Sequence, residues 1–176
     1  VEAEDSARRA LSLDARQAEP WFALAEALRL QKKTAASTEA YRKYLEMSDF
    51  ESGWGGKLHY FLVGYTAGAG RKRRPAQPDI WRELRAIAYV GLCENSKNEG
   101  GYEQAIAQCR QALRYDAQDP YAHYLLGLSY AYQAEKLDSR ELLAAARRSF
   151  RAMLEINPEI AEAAYARANL EEIERV

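Results

Sequence analysis

Apolar residues recur along most of this chain at helical spacing. Ala3, Ala7, Ala10 and Leu13 share one face of a helix predicted over Glu2 to Asp14. Trp21, Leu24, Ala25 and Leu28 follow at intervals of three, one and three, and Ser37, Tyr41, Tyr44 and Leu45 lie on a further helix that Thr34 is placed to cap. The alternation returns between Gly100 and Tyr130: a short helix, a tight turn at Asp119-Pro120, then a helix with Gly127 at its middle. Ala105, Ala112 and Gly127 stand where two helices would cross, with Tyr102, Tyr124 and Tyr130 around them. Pro20, Pro120 and Pro158 fall between helical patterns, where a missing backbone donor does least harm.

This arrangement closely resembles the tetratricopeptide repeat, a helix–turn–helix unit of about 34 residues that stacks into a solenoid. The resemblance implies an all-α, right-handed α-α superhelix of antiparallel helix pairs. Residues 1–15 align with the second helix of a truncated repeat and residues 18–49 with a full repeat, although Lys32-Lys33 replaces the usual Gly-Asp turn and Ser37 the usual alanine. Residues 57–78 align with a half-repeat carrying a basic loop, residues 79–117 and 120–158 with two further repeats, and residues 159–174 with a terminal helix. A helix over Ile80 to Asn95 is read as a first helix, because Val90-Gly91 fits that motif and Gly101 to Ala105 supplies the second helix after it; the other reading puts it in the vacant second-helix slot. About seven extra residues lie around Gln133 to Glu141, where Asp138 and Glu141 have capping-box spacing. The crossing positions take small residues: Ala25, Val63, Gly91, Gly127 and Ala168 on first helices, and Ala3, Ser37, Ala105 and Ala146 on second helices. Arg167 stands where leucine is usual, which suits a helix closing an array against solvent.

With 176 residues, 48% of them hydrophobic, the chain has enough apolar surface for one full core. Its 25 basic and 26 acidic residues nearly cancel, which argues against a global field for nucleic acid or an anionic membrane. No apolar run approaches the roughly 18 residues of a membrane span, and no signal-peptide pattern opens the chain. Val1 in place of methionine points to a piece of a longer or processed protein, and a cytoplasmic setting is the expectation.

Catalytic patterns are missing: there is no phosphate-binding glycine loop, dinucleotide fingerprint or nucleophile elbow, and an enzyme is not expected. His59 and His123 fall at the same motif position in two repeats, as packing residues would. Cys93 and Cys109 are expected to be buried free thiols on the two helices of one repeat; two cysteines are too few for a disulfide framework, and a zinc site needs more ligands than lie nearby. No metal and no cofactor is expected. The run Arg71, Lys72, Arg73 and Arg74, flanked by glycines and prolines, is either a solvated loop or an anion-binding loop that grips phosphates or an acidic segment.

In the tetratricopeptide family the first helices line a concave groove. Carried over by motif position, the partner-binding residues are Phe22, Glu26 and Arg29 in the first full repeat, Tyr60 in the half-repeat, then Arg85, Leu92 and Asn95. Tyr121, Tyr124, Leu128 and Tyr132 follow, and Tyr165 and Asn169 close the set. Tyrosine suits such a surface because it is amphipathic and loses little side-chain entropy on binding. The lysine and asparagine with which chaperone-binding members clamp a C-terminal carboxylate are replaced by Phe22 and Glu26, Tyr60 and Gly64, and Ala88 and Leu92. The expectation is a non-enzymatic interaction scaffold that takes a peptide or partner helix in the groove. Alternatives are nucleic-acid or polyanion binding through Arg71–Arg74 and a regulatory or docking domain of a larger enzyme.

Overall fold

The structure is a computed structural model that describes residues 2–52 and 80–175. Those residues form eight helices and no strand: α1 (Glu2–Leu13), α2 (Ala18–Leu30), α3 (Thr34–Ser52), α4 (Ile80–Asn98), α5 (Tyr102–Tyr115), α6 (Pro120–Leu137), α7 (Arg140–Ile156) and α8 (Ala163–Arg175). The half-repeat helix, Tyr60, Gly64, His59 and the Arg71–Arg74 run all lie outside the described residues. The chain divides into two compact units, Val1–Ala88 and Tyr89–Val176.

In the first unit, α2 packs on α3 and α1 packs on α2. Leu24, Ala25 and Leu28 of α2 close over Ser37, Ala40, Tyr41 and Tyr44 of α3, all buried. Ser37 keeps its hydroxyl inside by donating to the Ala25 carbonyl at 3.1 Å, which satisfies a polar group that would otherwise be costly to bury. The packed face of α1 sits one residue away from the expected one. Glu4 and Ala7 are buried, whereas Ala3 is exposed and Leu13 is 89% exposed. The reason is electrostatic: Glu4 is held at the interface by Arg8 at 2.7 Å, Gln31 at 2.8 Å and Lys33 at 3.1 Å. These hydrogen bonds, that of Gln31 foremost, hold the Glu4 carboxyl below the ordinary carboxylate range.

The second unit has a continuous core drawn from α4 to α8, with Cys93, Cys109, Leu125, Ala146, Phe150, Met153 and Ala166 all at 1% exposure or less. Its helix ends are well specified. Asp119 caps α6 by accepting from Tyr121 N at 2.8 Å and Ala122 N at 3.0 Å, with Pro120 in the first helical position. The seven-residue excess is absorbed by lengthening α6 to Leu137. Asp138 then turns the chain in the left-handed conformation (φ 49°), and it is Ser139 that caps α7 through Leu142 N at 3.3 Å. The capping role therefore belongs to the residue after Asp138. Similarly Lys33, not Thr34, occupies the flanking position before α3, its carbonyl accepting from Ser37 N at 2.9 Å.

Three helices end alike. Lys32 (φ 58°), Gly100 (φ 79°) and Asp138 follow α2, α4 and α6 in the left-handed conformation. In each case the next backbone N–H reaches back five residues: Lys33 to Leu28 at 3.0 Å, Gly101 to Ser96 at 2.8 Å and Ser139 to Ala134 at 3.1 Å. This is the Schellman closure, and glycine is its natural residue. Only α4 uses one.

Two further expectations are corrected. Cys93 and Cys109 are joined in a disulfide with Cα atoms 5.3 Å apart, so neither is a free thiol. The tight turn at Gly100 brings α5 back along α4, which sets both cysteines at the same level of the crossing. At the C-terminal end, α8 begins at Ala163 instead of Glu159, because Asn157 accepts from Glu159 N at 3.1 Å and holds a turn there. Ala163 and Ala166 consequently face the core, while Ala164, Arg167 and Ala168 are exposed.

Candidate partner-binding surface

The residues singled out on α2 are already engaged within their own repeat. The Phe22 ring stands edge-on to Tyr41 and Tyr44, with centroids 6.4 Å and 5.2 Å away. Glu26 accepts the Tyr41 hydroxyl through one oxygen and pairs with Arg29 at 2.9 Å through the other. Burial, reinforced by the Glu26 carboxylate, pushes the Tyr41 phenol well above its ordinary range. Arg85 of α4 donates from Nε to Ser48 Oγ of α3 at 3.2 Å. Phe22, Glu26, Arg29 and Arg85 are each half-buried.

In the second unit, Leu92, Asn95 and Leu128 are buried, at 3%, 3% and 9% exposure, and serve the interior. The tyrosines differ. Tyr121, at the start of α6, donates its hydroxyl to Glu94 of α4 at 3.2 Å and lies 6.2 Å from Tyr124, ring to ring. Tyr124 is half-buried against Phe150, centroids 6.2 Å apart. Tyr132, two turns further along, stacks on Tyr102 at 5.3 Å with planes 26° apart and is 42% exposed. Tyr165 on α8 is 65% exposed, and Asn169 donates to its carbonyl at 2.8 Å.

Burial pushes the Tyr124 phenol up, and the charges of Glu162, Tyr132 and Tyr165 add to the shift. The half-buried Glu162 is not held in an ion pair or side-chain hydrogen bond among the described residues. Sequence reasoning passed over Glu162 and Tyr102 as site residues. The position of Glu162 depends on the delayed start of α8, which no periodicity reveals; Tyr102 was visible as an aromatic near a crossing.

Two openings lie in this unit. One, of about 450 Å³, is walled by Gly100, Gly101, Tyr102 and Glu103 on one side and Gln133 and Lys136 on the other. A smaller one, of about 210 Å³, lies between α7 and α8, with Arg140 and Arg147 flanking Leu143, Ala144 and Ile173. His123 points its Nε2 at the Ala117 carbonyl, 3.2 Å away, and closes the turn before α6. Among the described residues no cluster of three or more His, Cys, Asp or Glu side chains is arranged to hold a metal ion. No described helix is long and apolar enough to cross a membrane.

Residues 98–133, which span α5 and most of α6, match the family model described as TPR repeat. Among solved structures, the human IFIT1 dimer with m7Gppp-AAAA aligns at a TM-score of 0.48 and 12% identity. The alignment covers 99% of this chain and 41% of that one, so the chain spans well under half of that protein's length. YrrB, described as a TPR protein with an unusual peptide-binding site, aligns at a TM-score of 0.40 and 19% identity, covering 95% of this chain and 82% of its own. Among curated proteins no sequence relative matches.

Proposed function

We propose that this chain, a tetratricopeptide-repeat protein, works as a non-enzymatic scaffold whose second unit takes a peptide or partner helix on the tyrosine face of α6 and α8. One observation carries the reading: Tyr132 and Tyr165 hold 42% and 65% of their surface open to solvent, whereas Phe22 and Glu26 of α2 are spent on Tyr41 and Tyr44 of α3. Large amphipathic rings with few rotatable bonds form a contact surface that needs little ordering on association. Helical anchors or alternate side chains of an extended segment are the two ways such a face is filled.

The test is a selection of displayed 12-residue peptides on the whole chain, repeated on Tyr132→Ala/Tyr165→Ala. Selected peptides are expected to bind the parent chain and to weaken by about tenfold or more on the double variant, as loss of aromatic anchors does. Failure to select any peptide, or binders that ignore the variant, would overturn the reading. Polyanion binding through Arg71, Lys72, Arg73 and Arg74 is the competing outcome. It predicts capture of a labelled single-stranded RNA with a steep salt dependence that neutralising the four residues abolishes.

A further inference from the structure

Both sulfurs of the disulfide are sealed from solvent. Cys93 and Cys109 stand at 0% exposure, in one core with Leu125 and Leu126 of α6 and Phe150 and Met153 of α7. The residues next to them in sequence reach α6. Glu94 accepts from the Tyr121 hydroxyl at 3.2 Å, and the Arg110 guanidinium lies 5.6 Å from the centre of the Tyr130 ring. Tyr102, at the start of α5, stacks on Tyr132 at 5.3 Å. Helix α6 is therefore the cover of the bridge, with α7 packed on α6 behind it. The hairpin beneath has a register of its own. Gly100 turns the chain, and Tyr89 of α4 stacks on Tyr115 of α5 at 5.7 Å with planes 13° apart. Between turn and stack the cysteines, 16 apart in sequence, meet with Cα atoms 5.3 Å apart. A loop this short costs little entropy to close, so the pair meets on local contacts without waiting for α7.

From this burial and this register we infer that a disulfide-bearing oxidant installs the Cys93–Cys109 bridge on the α4–α5 hairpin before α6 and α7 close over it, and that the chain matures in an oxidising compartment. One cysteine thiolate attacks a sulfur of the oxidant, forming a mixed disulfide and releasing one oxidant thiol. The second cysteine thiolate then attacks the chain's own sulfur in that mixed disulfide, closing the bridge and releasing the other oxidant thiol. Two electrons and two protons pass from the cysteines to the oxidant. The mixed disulfide imposes the order: it hangs a second molecule on a sulfur, and a close-packed core has no room for one. The finished bridge is shielded in the same way, because a reductant must also reach a sulfur. The sequence holds two cysteines and both are in the bridge, so no thiol is left over to reshuffle it. Bridges of this kind form and persist where glutathione and thioredoxin do not keep thiols reduced, which runs against the cytoplasmic setting expected from the sequence.

The experiment follows bridge formation in the whole chain, reduced and unfolded in urea, by mass after alkylation of the remaining thiols. Glutathione disulfide is supplied either at dilution into refolding buffer or once the circular dichroism of the helices has returned. Early oxidant is expected to close the bridge during folding. Late oxidant should act slower by about a hundredfold or more, since exchange then waits for the core to open. Equal rates overturn the order. Should the helices not return without the bridge, the converse measurement decides. Dithiothreitol is expected to open the bridge of the native chain slower by the same margin than that of the urea-unfolded chain, and equal rates there overturn the inference. The compartment is read in the cells that make the chain, by acid quenching and alkylation. A closed bridge in nearly all molecules supports it, and a majority with free thiols removes it.

Discussion

In the α2–α3 pair the crossing is made by Ala25 and Ser37, tied by a hydrogen bond from the serine hydroxyl to the Ala25 carbonyl. In the α6–α7 pair the same place is taken by Gly127, and the Phe150 ring fills the space a side chain would occupy. The outward faces differ in the opposite sense. Phe22, Glu26 and Arg29 are spent on Tyr41, Tyr44 and each other, while Tyr132 and Tyr165 stand open, at 42% and 65% exposure. One motif thus yields a closed repeat and an open one. Where the interior is sealed by the Phe150 ring, aromatic groups at the surface are left available; where it borrows Tyr41, the partners Phe22 and Glu26 are drawn from the face.

The largest expected effect tests what holds the open pair's neighbours in place. The Cys93–Cys109 bridge closes a loop with a sequence separation of 16, and opening it by Cys93→Ser/Cys109→Ser should cost about 3 kcal/mol in chemical denaturation. Next comes the crossing itself. A Cβ at Gly127 would sit 2.6 Å from Phe150 Cε1 and 2.7 Å from Cδ1, in a ring with 0% exposure. Gly127→Ala is therefore expected to cost about 1–3 kcal/mol, and Phe150→Leu in the same chain should recover part of it. Ala25→Gly, at the matching place in the closed pair, should lose only about 1 kcal/mol, the ordinary helix penalty.

Smaller changes sharpen the contrast. Asp138→Gly should raise the melting temperature by relieving a left-handed residue, worth about 1 kcal/mol. The closed unit should also be the more sensitive to pH at both extremes. Glu4 has a folded pKa below the ordinary value, so its stabilisation is complete above the usual carboxylate range and fades as pH drops through the folded value. Tyr41 has a raised one, so its stabilisation is complete below about pH 10 and fades above it. Glu4→Gln should flatten the acid limb of a stability-against-pH curve and Tyr41→Phe the alkaline limb. The least expected change in stability is that of Tyr132→Ala/Tyr165→Ala, within about 0.5 kcal/mol because the rings are exposed. A large loss there would mean that these rings brace the fold and are not held out for a partner.

Much of the helical layout was legible because it rests on periodicity and on punctuation by Pro120, Gly100 and Asp119. The crossing at Gly127 was legible too, since only a small residue suits it. What escaped the sequence depends on pairings made in three dimensions. Glu4 looks like a solvated charge until Gln31 and Lys33 are brought to it from the far side of α2. The delayed start of α8 rests on one hydrogen bond from the Glu159 N–H to the Asn157 side chain, and it shifts which alanines are buried. Cys93 and Cys109 read as separate thiols because their meeting depends on the register of α4 against α5. At the candidate surface, tyrosines were visible as a class, but which ones lie open was set by neighbours such as Phe150 and Tyr102.

The bridge between α4 and α5 also changes what damage the chain can absorb. The turn it spans, from Glu99 to Gly101, has its first two residues exposed and is a natural point of entry for a protease. A cut there severs the backbone yet parts nothing, because both new ends remain tethered through Cys93 and Cys109. The nicked molecule would migrate as one species on a denaturing gel and as two once a reductant is added.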